Sequence, residues 1–120
     1  MRMTLYQIDP GLDKERVMFM GYGPLVANNI PVDPEIYRAV WTGDRAPEQD
    51  AAHALEAMYR GFNHVGDRPL MFDGAEHYTG RSMSVSDVVV MDDPDEGVRA
   101  WYCDSVGFVS LPEEVWPCRG

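Results

Sequence analysis

The sequence predicts an α+β domain: a mostly antiparallel sheet of about five strands with one main helix, about residues 46–61, packed on it. Three observations predict it. Segments 3–8, 85–91 and 98–103 are rich in β-branched and aromatic residues, in alternation or in short apolar runs. Ala51, Ala54, Leu55, Met58, Tyr59 and Phe62 recur at helical spacing. The turn signals Asp9-Pro10-Gly11 and Asp92-Asp-Pro-Asp-Glu-Gly97 stand where a strand reverses into the next.

In chain order, Met3 to Ile8 alternates as a strand and Asp9-Pro10-Gly11 turns it. Residues 15–21 read as a second, more fully buried strand that closes a hairpin with the first. Residues 23–34 contain Gly23-Pro24, Asn28-Asn29, Pro31 and Asp33-Pro34, and read as a loop. Residues 35–41 read as a strand, with Ile36, Arg38 and Val40 on one face and Tyr37, Ala39 and Trp41 on the other.

For helix 46–61, Pro47 suits the first turn, where its missing N–H costs nothing. Glu48 and Asp50 complement the helix dipole, and Gly61 supplies a stop. Gln49, His53, Glu56 and Arg60 form its wet face. Residues 63–81 are polar and rich in Gly and Pro, apart from Leu70-Met71-Phe72, and read as irregular. Residues 85–91 then form a buried central strand, 92–97 a turn, 98–103 the returning strand and 107–111 a last short one. The chain of 120 residues has one core's worth of surface to bury and no linker or repeat, so residues 1–120 read as a single domain.

Charge narrows the function classes. Twenty acidic residues face ten basic ones, for a net charge of -10. Phosphates repel such a surface, so neither direct nucleic-acid binding nor docking on an anionic membrane is expected. A basic protein surface is the compatible partner. The second half is the more acidic: residues 61–120 hold eleven acids and four bases, against nine and six in residues 1–60. No apolar stretch approaches the roughly 20 residues of a transmembrane helix. The opening residues lack the apolar run of a signal peptide. Two cysteines, Cys103 and Cys118, are too few for the framework of a small secreted protein. A cytoplasmic protein with free thiols is expected; a Cys103–Cys118 bridge would need an oxidising compartment.

The candidates for chemistry each have a plainer reading. Asp92, Asp93, Asp95 and Glu96 lack the ligand steps of a calcium loop and read as an acidic hairpin turn. His53, His64 and His77 contain no i, i+4 pair and no Cys-x-x-Cys beside them, so no metal or cofactor is expected. Ser82, Ser84 and Ser86 precede Asp87 without a Gly-x-Ser-x-Gly elbow. Short hydroxyls and a carboxylate at a strand entrance satisfy backbone N–H groups instead. Asp87 and Asp104 therefore read, with those serines, as a structural polar network, since an unpaired buried carboxylate is very costly. Cys103, without a base beside it, reads as a buried inert thiol. The exposed acids Asp92, Asp93, Asp95, Glu96, Glu113 and Glu114 read as a solvated face that can serve as a partner-binding surface, joined in a DNA-mimicking arrangement by Asp67, Asp73 and Glu76.

Gly80-Arg-Ser-Met-Ser-Val-Ser-Asp-Val-Val-Val, followed by Ala100-Trp-Tyr-Cys-Asp-Ser-Val-Gly-Phe, resembles the YodL-like family. That family shows a Gly-His-Ser-Leu-Ser-Val-Ser-Asp-Ile-Val type run and then a Tyr-Tyr-Val-Asp-Ser-x-Gly-Phe type run. Arg81 stands here for the usual histidine, and Cys103 for a small apolar residue. Leu5-Tyr-Gln-Ile, Met18-Phe-Met-Gly-Tyr22 and Tyr37-Arg-Ala-Val-Trp-Thr-Gly43 are similar to the family as well, so the resemblance covers most of the chain. It carries over no catalytic residues. It implies small stand-alone proteins, or domains of conjugative elements and phages of mostly Gram-positive bacteria, that act on host proteins.

The expectation is a non-enzymatic protein-binding or inhibitory module, carried by a mobile element and acting on a host protein. An acidic DNA mimic directed at a restriction or CRISPR effector is the second reading, and a small enzyme using Asp87 or Asp104 the third. A binding module predicts an exposed apolar patch, with Trp41 or Trp116 as candidate members. An enzyme predicts Asp87 in an open cleft.

Overall fold

The alternation of Arg2–Ile8 produces strand β1, and its neighbours in the sheet decide the rest of the topology. The computed structural model describes residues 2–44, 51–62, 83–93 and 97–116. Beside β1 run β2 (Tyr37–Asp44) and β3 (Val88–Asp93), followed outward by β4 (Gly97–Cys103) and β5 (Phe108–Leu111). The order is β2-β1-β3-β4-β5, and all four pairings are antiparallel. Helix α1 spans Tyr22–Ala27 and helix α2 spans Ala51–Phe62. The class is α+β, with sheet dominating.

The hairpin expected between residues 3–8 and 15–21 does not form. Both edges of β1 are occupied, by β2 and β3, so no edge remains for residues 15–21. That segment is a series of turns, with Arg16 at φ 55° and Phe19 at φ 69°, values foreign to a strand. It still buries Val17, which explains why its composition looks strand-like. The loop expected over 23–34 contains α1. Pro24 lies in its first turn, where no N–H is needed, and Asn29 leaves it at φ 57°, which Asn tolerates. Asp9 accepts from Gly11 N–H and pairs with Arg38, so the turn after β1 is tied to the start of β2.

β2 also departs from simple alternation. Leu5 pairs with Trp41 but Tyr6 pairs with Ala39, so Val40 is the extra residue of a bulge. The bulge reverses the facing of the strand on either side of it. Tyr37 packs in one hydrophobic cluster and Trp41 in the other, although alternation alone puts them together. In α2 the chain runs through Gly61 to Phe62, so Gly61 does not stop it; residues 46–50 and the segment 63–81 lie outside the described residues. β3 starts at Val88, three residues later than expected, because 84–87 form a turn closed by Asp87 N–H on the Ser84 carbonyl. β4 opens on Gly97, whose φ of +86° suits glycine.

β3 is apolar from Val88 to Met91 because both of its faces are covered there. Val89 and Met91 face α2, in a cluster with Met3, Leu5, Trp41, Ala54, Leu55 and Met58. Val88 and Val90 face the other way, towards Ile8, Val17, Leu25, Tyr102 and Trp116. That second side carries no long helix among the described residues. Residues 9–21, α1 and the segment after β5 close it.

Candidate functional site

The turn entering β3 holds three of the polar residues singled out from the sequence, Ser84, Ser86 and Asp87. Asp87 has no exposed surface. Its Oδ2 accepts from Gln7 Nε2 at 3.0 Å and from Ser84 N–H at 2.9 Å. Its carbonyl accepts from Cys103 N–H at 2.8 Å. Ser86, also fully buried and at φ 85°, joins three further segments. Its N–H donates to the Cys103 carbonyl, its Oγ accepts from Phe19 N–H at 2.9 Å, and its carbonyl accepts from the Tyr37 hydroxyl at 2.6 Å.

Asp104 follows β4 at the same end of the β3–β4 pair. Its Oδ1 accepts from Tyr22 N–H at 3.1 Å, at the start of α1, and from Ser105 N–H at 2.7 Å. The approach is close: a Cβ on Gly21 would stand 3.0 Å from that oxygen, which is why the chain passes here as glycine. Tyr102 donates its hydroxyl to the Met20 carbonyl at 2.6 Å. Burial first, and then the charge of Asp104, raises the Tyr102 pKa above the ordinary tyrosine value, so the hydroxyl stays a donor. Ser84 takes part through its backbone, and Ser82 lies outside the described residues. Gln7, Tyr37 and Tyr102 are not singled out by the sequence. Gln7 carries a signal all the same: it is a polar residue in a strand whose neighbours are apolar.

Behind this network lies a cleft of about 510 Å³ between α2 and the β4–β5 turn. Leu55, Glu56 and Tyr59 line one wall and Trp101, Asp104 and Phe108 the other. Cys103, a free buried thiol, also lines it. Burial, then the charges of Asp87 and Asp104, push the Cys103 thiol up to about 12, so at neutral pH it is a protonated apolar group and a poor nucleophile. Asp87 is not among the lining residues described.

The acidic candidates separate. Asp92, at the end of β3, and Glu113 and Glu114, in the turn after β5, are exposed, as is His53 on α2. Asp93 ends β3, while Asp95 and Glu96 lie outside the described residues, as do His64, His77 and Cys118. Trp41 and Trp116 do not form an exposed patch: both are buried, and Trp116 meets Tyr6 and Tyr37 edge-on at centroid distances of 5.3 and 5.1 Å. The large apolar side chains that do reach solvent include Phe19, Val26 and Val106. Among the described residues no cluster of three or more His, Cys, Asp or Glu is arranged to hold a metal, and no helix is long and apolar enough to cross a membrane.

A family model, the YodL-like domain, matches residues 2–113. No curated protein and no solved structure matches the chain at a significant level.

Proposed function

Since the chain belongs to the YodL-like family, we propose that it is a non-enzymatic protein-binding module, carried by a mobile element to inhibit a host protein. One observation carries this reading. Among the described residues, three groups that could do chemistry are engaged by the chain itself: Asp87 is fully buried on Gln7 and Ser84, Asp104 accepts two backbone N–H groups with one oxygen, and the Cys103 thiol is held protonated. A catalytic carboxylate needs access to substrate, and Asp87 has none.

The net charge of -10 supports a second reading, in which the exposed carboxylates, Asp92, Glu113 and Glu114 among them, imitate a nucleic-acid backbone before a DNA-binding effector. The two differ in salt dependence. A DNA mimic loses affinity steeply as salt rises, while a mixed apolar and polar interface loses little.

The test is capture of a partner by the purified chain from a lysate of its host, followed by titration of the complex with salt. A stoichiometric complex that tolerates salt supports the first reading. A chemical activity of the chain that Asp104→Asn abolishes, with the fold intact by circular dichroism, would replace both with an enzyme.

A further inference from the structure

We infer that the cleft between α2 and the β4–β5 turn receives a cationic side chain, arginine or lysine, of a basic protein partner. The inference rests on the protein-binding reading above and names the chemistry of the contact. Three observations carry it. The walls present three aromatic rings, Tyr59, Trp101 and Phe108, whose faces attract a cation within about 6 Å. Both charged groups among the described lining residues, Glu56 and Asp104, are carboxylates, and none is basic. The chain as a whole is strongly acidic, which steers a basic surface towards it.

The pieces are placed before any partner arrives. Asp104 is held by Tyr22 and Ser105 N–H groups, and Trp101 and Phe108 pack against the helix-side core. For these three side chains little ordering is left to oppose binding. A cation entering between aromatic rings loses water, and the two carboxylates offset that loss. With about 510 Å³, the cleft has room for a side chain and part of its flanking segment. Val106, between Ser105 and Gly107 of the lining, is 89% exposed and offers an apolar contact to that segment.

The experiment titrates the full chain with N-acetyl-arginine N-methylamide and with its neutral citrulline counterpart, following amide and indole NMR shifts. The expected result is saturable shifts at Trp101, Ser105 and Phe108 with arginine and none with citrulline. Glu56→Gln, on the exposed side of α2, weakens the arginine response roughly tenfold, the scale of one lost charge-assisted contact. Equal shifts with citrulline, shifts spread over the acidic surface, or indifference to Glu56→Gln overturn the inference. The two readings fail separately. Arginine binding in the cleft with no partner captured removes the protein-binding reading alone. A captured partner whose binding ignores Glu56→Lys removes this inference and leaves that reading standing.

Discussion

The two faces of the sheet are both apolar, yet they are closed by different means. On one side α2 lays Ala54, Leu55 and Met58 on Met3, Leu5, Val89 and Met91. A helix satisfies its own backbone, so apolar contact is enough to hold it there. On the other side the cover is largely irregular chain, residues 9–21 and the segment after β5. Such chain brings unpaired N–H and C=O groups onto an apolar surface, and each left unpaired costs about 1–3 kcal/mol. The sheet supplies the partners: Ser86 takes Phe19 N–H, Asp104 takes Tyr22 N–H and Tyr102 gives to the Met20 carbonyl. Asp13, within the cover itself, takes Val17 and Met18 N–H. Where a helix covers a sheet, shape and apolarity do the holding; where loops cover it, side-chain pins do.

The largest expected effect tests the helix side. Leu5→Ala removes a fully buried side chain and is expected to cost about 2–5 kcal/mol in urea unfolding. Because that core is shared, amide exchange should quicken in α2 and the strands together. Asp87→Ala tests the polar side, leaving Gln7 Nε2 and Ser84 N–H without their acceptor; about 2–4 kcal/mol is the expected loss. Asp87→Asn, which keeps an acceptor oxygen, should lose clearly less. Equal losses for the two variants would show that the carboxylate acts by something other than accepting hydrogen bonds.

A smaller effect separates pinning from packing. Ser86→Ala and Ser86→Gly both delete the acceptor of Phe19 N–H, and both should quicken exchange in residues 17–22 without touching α2. At φ 85° glycine is the easier residue, so Ser86→Gly should be the more stable of the two by about 1 kcal/mol, the reverse of the usual order in a strand. The smallest effect is a dependence on pH. The Cys103 thiol is raised in the folded chain to about 12, against an ordinary value of 9.0. The folded state thus keeps a proton that the unfolded state releases, and stability falls as pH rises from about 9 towards 12. Cys103→Ala should flatten the slope of unfolding free energy against pH in that window, and the native thiol should resist alkylation at pH 8.

The strands that carry their own pattern are legible in the sequence. Residues 3–8, 98–103 and 107–111 alternate or cluster as strands do; the first two pair antiparallel with the core of the 85–91 run, and the third pairs antiparallel with β4. Residues 15–21 mislead because burial of Val17 imitates a strand's composition, while their N–H groups go to Asp13, to local carbonyls and, at Phe19, to the distant Ser86 rather than to a neighbouring strand. The bulge at Val40 is hidden for a related reason: it is a property of the pairing with β1, not of β2 alone. In the polar cluster, Ser86, Asp87 and Asp104 stand out as polar residues bordering apolar runs. Tyr37 and Tyr102 pass for ordinary strand residues; the fold brings Gln7 and Tyr37 to the turn at Ser86 and Asp87, and Tyr102 to the Met20 carbonyl.

Periodicity and charge alone predict a sheet-rich fold, an amphipathic helix over about 46–61, which the structure describes over Ala51–Phe62, and a net charge of -10. Both act over a few residues or over the whole chain at once, so the order of residues is enough to reveal them. Three-dimensional packing settles that β1 lies between β2 and β3, that loops cover one face, and that Glu56 and Asp104 share a cleft with three aromatic rings. Those choices depend on which strand wins each edge of β1, a competition among distant segments that no local pattern records.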